Sequence, residues 1–474
     1  MSQKKRETVL KGVNHDEKRD KLRQIAESLR KDKRGAAILA KRMKSNQHDE
    51  DNVNEIEEVL VVNADLITAV QSAAQVIQYG DTAGQANGVK TLRRLISSSD
   101  PHAAIQLVID AGLVPLLCSF LSVPIKDIQA EAAWCLTNIA GGTHDQTGHV
   151  LVAVPIFIQI LGGSEPVLQE QVCWAVGNIA GDADDYRQVL VANGALRAVA
   201  SLLFSSTQSV LKSLHKGTPA SFSSSVAVIE SRPLTAAWAL SNLARGSTTA
   251  SAFIESEITA GLLGILEALH QFGISSSIGG IMSSGHEKES AVTAAGNAVT
   301  LSSVSGAGAL VEFVHNLTHE IMWVLCFLAA KEEAAVGHMI AAQGLIPAIC
   351  SVVSRTDAMD ERAIPLVRCL GNLTSGPLEW IDPLLVVSLS GVSVSVSVSG
   401  GGVTDPSTAV SIPSFLIAVL SSWHSQGGGE GGTFAAHRAV VKETLWVVSN
   451  LLAGTEQHRE HVLTLGALPG ATCL

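Results

Sequence analysis

The stretch "EAAWCLTNIAGG" (131–142) returns as "EQVCWAVGNIAGD" (170–182) and again as "TAAWALSNLARG" (235–246). Each copy sets a Trp four residues before an Asn in an otherwise apolar run. At about 100° per residue on a helix, taking Trp134 as zero puts Asn138 near ~40° and Glu131 near ~60°. Ala132, Cys135, Leu136, Ile139 and Ala140 fall between about 100° and 240°. One stripe is therefore apolar core, and the Trp/Asn/Glu stripe faces away from it. The same wheel serves Trp174 with Asn178 and Gln171, Trp238 with Asn242, and Trp446 with Asn450 and Glu443.

The anchors Trp134, Trp174, Trp238, Trp323, Arg368 and Trp446 are spaced by 40, 64, 85, 45 and 78 residues. Two of these intervals match the ~40–47 residue period of armadillo-type helical repeats. The longer ones reduce to one repeat each once Ser/Gly-rich inserts are removed, at 204–231, 273–309, 388–412 and 424–433. Between anchors, a Gly-containing turn leads into "AGLVPLLCSFL", "NGALRAVASLLF", "AGLLGILEAL" and "QGLIPAICSVV". A short helix followed by a longer one cannot bury its apolar face alone, so such units stack into a solenoid. An earlier unit without Trp begins near Ala64, and "HVLTLGALPGATCL" ends the sequence just as another starts, which predicts a truncated or atypical end. The reading is all-α: a right-handed superhelical solenoid over 64–474 with about seven repeats, an acidic linker at 49–63 and a basic, partly disordered arm at 1–48.

A row of Trp separated by grooves offers walls for long aliphatic stems and cation–π attraction for their heads. Asn supplies a donor and an acceptor for the backbone of an extended peptide. Asp182, Asp184, Asp185 and Glu443 would pair with Lys and Arg. The predicted ligand is an extended basic peptide. The competing structural reading has each Trp merely packing between neighbouring repeats.

Net charge is −11 overall, but residues 1–48 hold fifteen Lys/Arg against six Asp/Glu, leaving a net −20 on the remainder. An acidic body repels phosphate, and the arm lacks interleaved aromatics, which argues against nucleic-acid binding. The seven Cys form no CxxC pair and most lie in apolar helical runs, so they read as buried free thiols of a reducing compartment. No apolar stretch reads as a signal peptide or a membrane span. GxxxxGK[ST], HExxH and GxSxG are all missing from the sequence, so no enzyme, cofactor or metal is expected. His144 with His149, and His458 with His461, read as surface histidines.

In order, "AAWCLTNIAGGTHDQT", "EQVCWAVGNIAGDADDYR", "WALSNLARG", "EIMWVLCFLAA", "IPLVRCLGNLTSG" and "KETLWVVSNLLAGTEQHRE" resemble the second to seventh armadillo repeats of the importin alpha family. The departures agree too, with Phe327 in place of Asn in the fifth and Arg368 in place of Trp in the sixth. The resemblance implies a major site for nuclear localisation signals on Trp134, Asn138, Gly142, Thr147, Gln171, Trp174, Asn178, Asp182, Trp238 and Asn242, with Asp182 as the partner of the key lysine. It implies a minor site on Trp323, Arg368, Asn372, Glu443, Trp446 and Asn450, lacking its eighth-repeat part.

"LRKDKRGAAILAKRM" (29–43) resembles the importin-beta-binding arm of that family, which implies carrier contacts through Arg30, Lys31, Lys33, Arg34, Lys41 and Arg42. Leu22, Ile25 and Leu29 lie at helical spacing within the arm. Its spacing is also similar to that of a divergent relative, transmembrane and coiled-coil domain-containing protein 6. The implied function is a nuclear import adaptor of cytoplasm and nucleus. Its tethered arm competes for the groove until an importin-beta-type carrier captures it. The alternative is a non-transport armadillo scaffold with a dedicated protein partner.

Overall fold

The computed structural model describes residues 63–97, 101–216, 230–246, 249–275, 306–331, 336–337, 339, 344–353, 356, 360–386, 388–389, 410–425 and 432–464. The basic arm and most of the acidic linker, including all six expected carrier contacts, lie outside these residues.

The described chain is a stack of helical units. Helices α1 (Asn63–Tyr79) and α2 (Thr82–Leu95) open it. Next come α3 (Pro101–Asp110), α4 (Val114–Phe120) and the long α5 (Lys126–Ala140). The following unit has α6 (His144–Gly148), a 3-10 turn leading into α7 (Val154–Leu161), and α8 (Pro166–Asp182). The pattern repeats as α9 (Asp184–Ala192), α10 (Ala195–Lys216) and α11 (Arg232–Leu243). After these come α12 (Thr249–Glu255), α13 (Ile258–Ser275) and α14 (Gly306–Ala329). The far end carries α15 (Leu345–Val353), α16 (Ile364–Thr374), α17 (Ile381–Val386), α18 (Ile412–Ser425), α19 (Gly432–Ala453) and α20 (Glu456–Thr464). The third helices α2, α5, α8, α11, α14, α16 and α19 pack in sequence, each on the next, so the fold is an armadillo-type solenoid.

Local chemistry explains the unit. Pro sits in the first turn of α4, α7, α8, α11 and α16, where a missing N–H costs nothing. Gly112, Gly194 and Gly344 take φ of 67°, 86° and 72° at the turn into the second helix, a conformation in which a Cβ is strained. The fourth such turn departs from expectation. Its left-handed residue is Glu257 (φ 56°), and Gly261 lies inside α13, its missing Cβ making room for the Phe204 ring. Replacing Glu257→Gly should therefore stabilise the protein by about 1 kcal/mol, read as a rise in thermal melting temperature.

All four insert boundaries need correction. Residues 204–216 were expected to be loop but form the end of α10. Their serines do not break the helix, because Ser205, Ser206 and Ser213 return their hydroxyls to the carbonyls of Ser201, Leu202 and Ser209. Val210 meanwhile keeps the buried stripe going. The expected loops at 273–309 and 424–433 are likewise helical at their ends, through Ser275 and Ser425 and from Gly306 and Gly432. At the third, Ser388–Leu389 and Val410–Ser411 make a two-residue antiparallel pair (β1, β2) with Leu389 opposite Val410, and helix resumes at Ile412.

The core runs the length of the stack along the apolar stripe read from the sequence, with Ala132, Cys135, Leu136 and Ile139 all fully buried. Cys118, Cys135, Cys173, Cys326, Cys350 and Cys369 are free thiols. Burial pushes Cys118 and Cys350 up to about 11 and the deeper Cys135 and Cys173 higher still, so they behave as apolar filler. Among the described residues no single helix is long and apolar enough to cross a membrane.

Candidate peptide-binding ladder

Four of the five anchor asparagines repeat one geometry. Asn178 Nδ2 donates to the Thr137 carbonyl at 3.0 Å, and Asn242 Nδ2 to the Gly177 carbonyl at 2.9 Å. Asn372 Nδ2 donates to the Cys326 carbonyl at 3.0 Å, and Asn450 Nδ2 to Gly371 at 3.3 Å. The acceptor is always the residue just before the Asn position of the preceding unit. At the start of the series the acceptor differs: Asn138 Nδ2 donates to the Ser97 side-chain Oγ at 2.8 Å, and Ser97 stands four residues after Arg93 as Asn138 stands four after Trp134. Asn138, Asn178 and Asn242 are 2%, 9% and 1% exposed. Their amide nitrogens therefore staple consecutive third helices together, a role that sequence reading assigned wholly to a ligand.

The tryptophans pack between neighbouring repeats, as the competing structural reading had it, without being fully buried. Trp134, Trp174, Trp238, Trp323 and Trp446 are all half-buried. A methyl group on Gly177 would overlap the Trp238 ring, and one on Gly371 the Trp446 ring. Each of these indoles lies on the preceding third helix at the residue before its Asn, and glycine there permits the approach. The Trp thus packs between repeats and still leaves part of its ring to solvent.

Charge is distributed along the same ladder. Arg93, 3% exposed, sets its guanidinium 4.5 Å from the Trp134 ring centroid and its Nε 2.5 Å from Glu131 Oε2. Arg368 pairs with Glu443 and lies 5.6 Å from the Trp323 ring centroid. Although burial works against its charge, the hydrogen bond that Arg368 donates to Glu443 holds its pKa above the ordinary value. Arg93 occupies in the first unit the place that Arg368 occupies later, and in both cases the partner is the Glu three residues before the next Trp. At the end of α8, Asp182 is 6% exposed and its Oδ2 lies 2.6 Å from His144 Nδ1.

Residues 101–141 and 143–181 match the family described as Armadillo/beta-catenin-like repeat. Importin subunit alpha-9 of Arabidopsis thaliana is 28% identical over 464 residues, covering 94% of this chain and 70% of that protein. Importin subunit alpha-2 of Oryza sativa subsp. japonica is 27% identical over 462 residues, covering 94% and 69%. The chain is thus similar to importin alpha subunits along most of its length, and two of its units match the armadillo repeat. A designed armadillo repeat protein in complex with the peptide (KR)4 superposes only loosely, with a TM-score of 0.45 and 17% identity over 64% of this chain and 98% of its own.

Within this importin-alpha-like stack the remaining expected positions fall as follows. Gly142 stands just before the N-cap of α6, and Thr147 lies within that helix. Thr143 and Gln146 form a reciprocal capping box there, and Gly142 leaves room for the Gln146 side chain. Thr147 is buried, with Oγ1 donating to the Ala140 carbonyl at 3.1 Å. Gln171 takes Thr137 Oγ1 on its carbonyl at 3.0 Å, while its side-chain Nε2 is buried without a hydrogen-bond partner. Phe327, standing where the other units have Asn, stacks on Trp323 at 5.6 Å, and Trp323 Nε1 donates to His319 Nε2 at 3.0 Å.

Four contributors were missed or misread from sequence. Arg93 and Ser97 stand one period before Trp134 and Asn138, so the repeat register was the signal that could have found them. Tyr186, at the third position of α9, donates its hydroxyl to the His144 carbonyl at 3.1 Å. His458, expected at the surface, is 3% exposed, completes the cap of α20 with Thr455 and sets Nε2 2.7 Å from Asp382 Oδ1. Helix-start residues thus tie one unit to the previous one, as Gln146 does through His102.

Proposed function

We propose that this protein is a nuclear import adaptor. It holds basic localisation peptides along the Trp/Asn ladder and engages an importin-beta-type carrier through residues 1–48. The observation that carries the reading is the relationship to importin alpha subunits across 94% of the chain. The geometry supports it in three ways. Half-exposed indoles at one-repeat intervals suit aliphatic stems and cationic heads. Gln171 leaves a buried amide donor unused. Asp182 places a carboxylate at the junction of α8 and α9, where a cationic head could pair with it. The minor set is more closed, because Arg368 and Glu443 already satisfy each other.

A fixed-partner scaffold is the second reading, favoured by the internal groups already resting on the ladder, the Arg93 guanidinium on Trp134 and the His144 imidazole on Asp182.

The test is fluorescence anisotropy of a labelled Lys-Lys-Lys-Arg-Lys peptide with the full chain and with the full-length variant Lys31→Ala/Lys33→Ala/Arg34→Ala. The adaptor reading expects saturable binding, tighter in the arm variant because a tethered competitor has been weakened. Several unrelated basic peptides should bind comparably. Failure of all of them would leave the scaffold reading.

A further inference from the structure

His144 sits at the first position of the five-residue helix α6, with its ring held from two sides and its backbone carbonyl by a third contact. Nδ1 meets Asp182 Oδ2 at 2.6 Å. The ring stacks on Tyr186, with centroids 4.6 Å apart and planes within 7°. The Tyr186 hydroxyl holds the His144 carbonyl, and Gly148 lacks the Cβ that would strike that hydroxyl. His144 is 51% exposed while Asp182 is 6% exposed, so the imidazole is the outer member of the pair. A ligand ammonium seeking Asp182 meets His144 first.

We propose that His144 is a built-in competitor for the cationic subsite at Asp182, setting which basic peptides are accepted there and at what pH. The inference rests on the peptide-binding reading of the ladder and deepens it. The groups facing the imidazole are Asp182 at the end of α8, Asp185 and Tyr186 on α9, and Asp145 on its own helix. His102 of α3 instead points Nδ1 at Gln146 Oε1, 3.4 Å away. The hydrogen bond to Asp182 raises the His144 pKa, and the three carboxylates act in the same sense. The sign follows. Below that raised value the imidazolium neutralises Asp182 and a ligand lysine must displace a charge-assisted bond. Above it the imidazole is neutral and holds the carboxylate only by an ordinary hydrogen bond, so lysine wins more easily.

The test compares the full-length arm variant with the same protein carrying His144→Gln, which keeps a neutral hydrogen-bonding side chain. Anisotropy of the labelled Lys-Lys-Lys-Arg-Lys peptide is followed from about pH 6 to about pH 8.5, across the range where histidine titrates. With His144 present, affinity should rise about fivefold over this range, the difference between a charge-assisted and a neutral hydrogen bond. With His144→Gln the profile should be flat and sit at the high-affinity end. His144→Ser, which removes the ring altogether, should bind at least as tightly, and melting curves check that the variants are folded. Identical pH profiles with and without His144 would overturn the inference while leaving the peptide ladder standing. No binding by any variant at any pH would overturn the ladder reading and this inference together.

Discussion

Charge reversal at Asp182 is expected to lower the affinity for a Lys-rich peptide on the order of a hundredfold, with Asp182→Asn costing about tenfold. The carboxylate is 6% exposed, and an ion pair made with a desolvated partner loses several times more on removal than one at an open surface. Asp182→Lys also removes the 2.6 Å contact with His144 and sets a cation in its place, just ahead of the N-terminus of α9. Melting temperature should therefore fall with Asp182→Lys and less with Asp182→Asn, so binding is compared at a temperature where melting curves show both variants folded. Equal affinity of Asp182→Lys and the parent would remove Asp182 from the binding surface and take the adaptor reading with it.

The largest stability effect is expected at Gly177. A valine there would drive its side chain into the Trp238 ring, and overpacking of this kind costs about 1–3 kcal/mol or more. The small gain from removing a helical glycine offsets only a part. Gly264→Ala is the control: it also fills a helical glycine, but one that is exposed with open space around the added methyl, so it should stabilise by about 0.5–1 kcal/mol. In a solenoid each unit contacts only its neighbours. Gly177→Val should thus loosen the α8–α11 junction, shift Trp fluorescence and weaken peptide binding, with distant units less affected. An unchanged melting temperature would mean the Trp238 ring can swing aside at no cost and is not held as described.

The two tests address different consequences of one arrangement. Asp182 probes what the ladder presents outward, and Gly177 probes what holds the ladder together. Asn178 belongs to the second, since its amide nitrogen is committed to the Thr137 carbonyl.

The sequence by itself determined the repeat, its register and its core. Trp and Asn at four-residue spacing in an apolar run leave only one helical face free of Ala, Leu and Ile. That periodicity placed Ala132, Leu136 and Ile139 inside before any coordinates. It also placed Gly112, Gly194 and Gly344 at the turns, because no other residue adopts their φ without strain. It went astray where composition was taken for conformation: the serines of 204–216 satisfy their hydroxyls within the helix and so do not end it. What only the tertiary structure decided is which groups reach across from one unit to the next. Asn amides on the preceding carbonyls, indoles over Gly177 and Gly371, Arg93 on Trp134 and His144 on Asp182 are contacts between residues some forty to eighty positions apart. Their existence depends on how far each unit rotates on its neighbour. A helical wheel describes one helix in isolation and carries no information about that rotation.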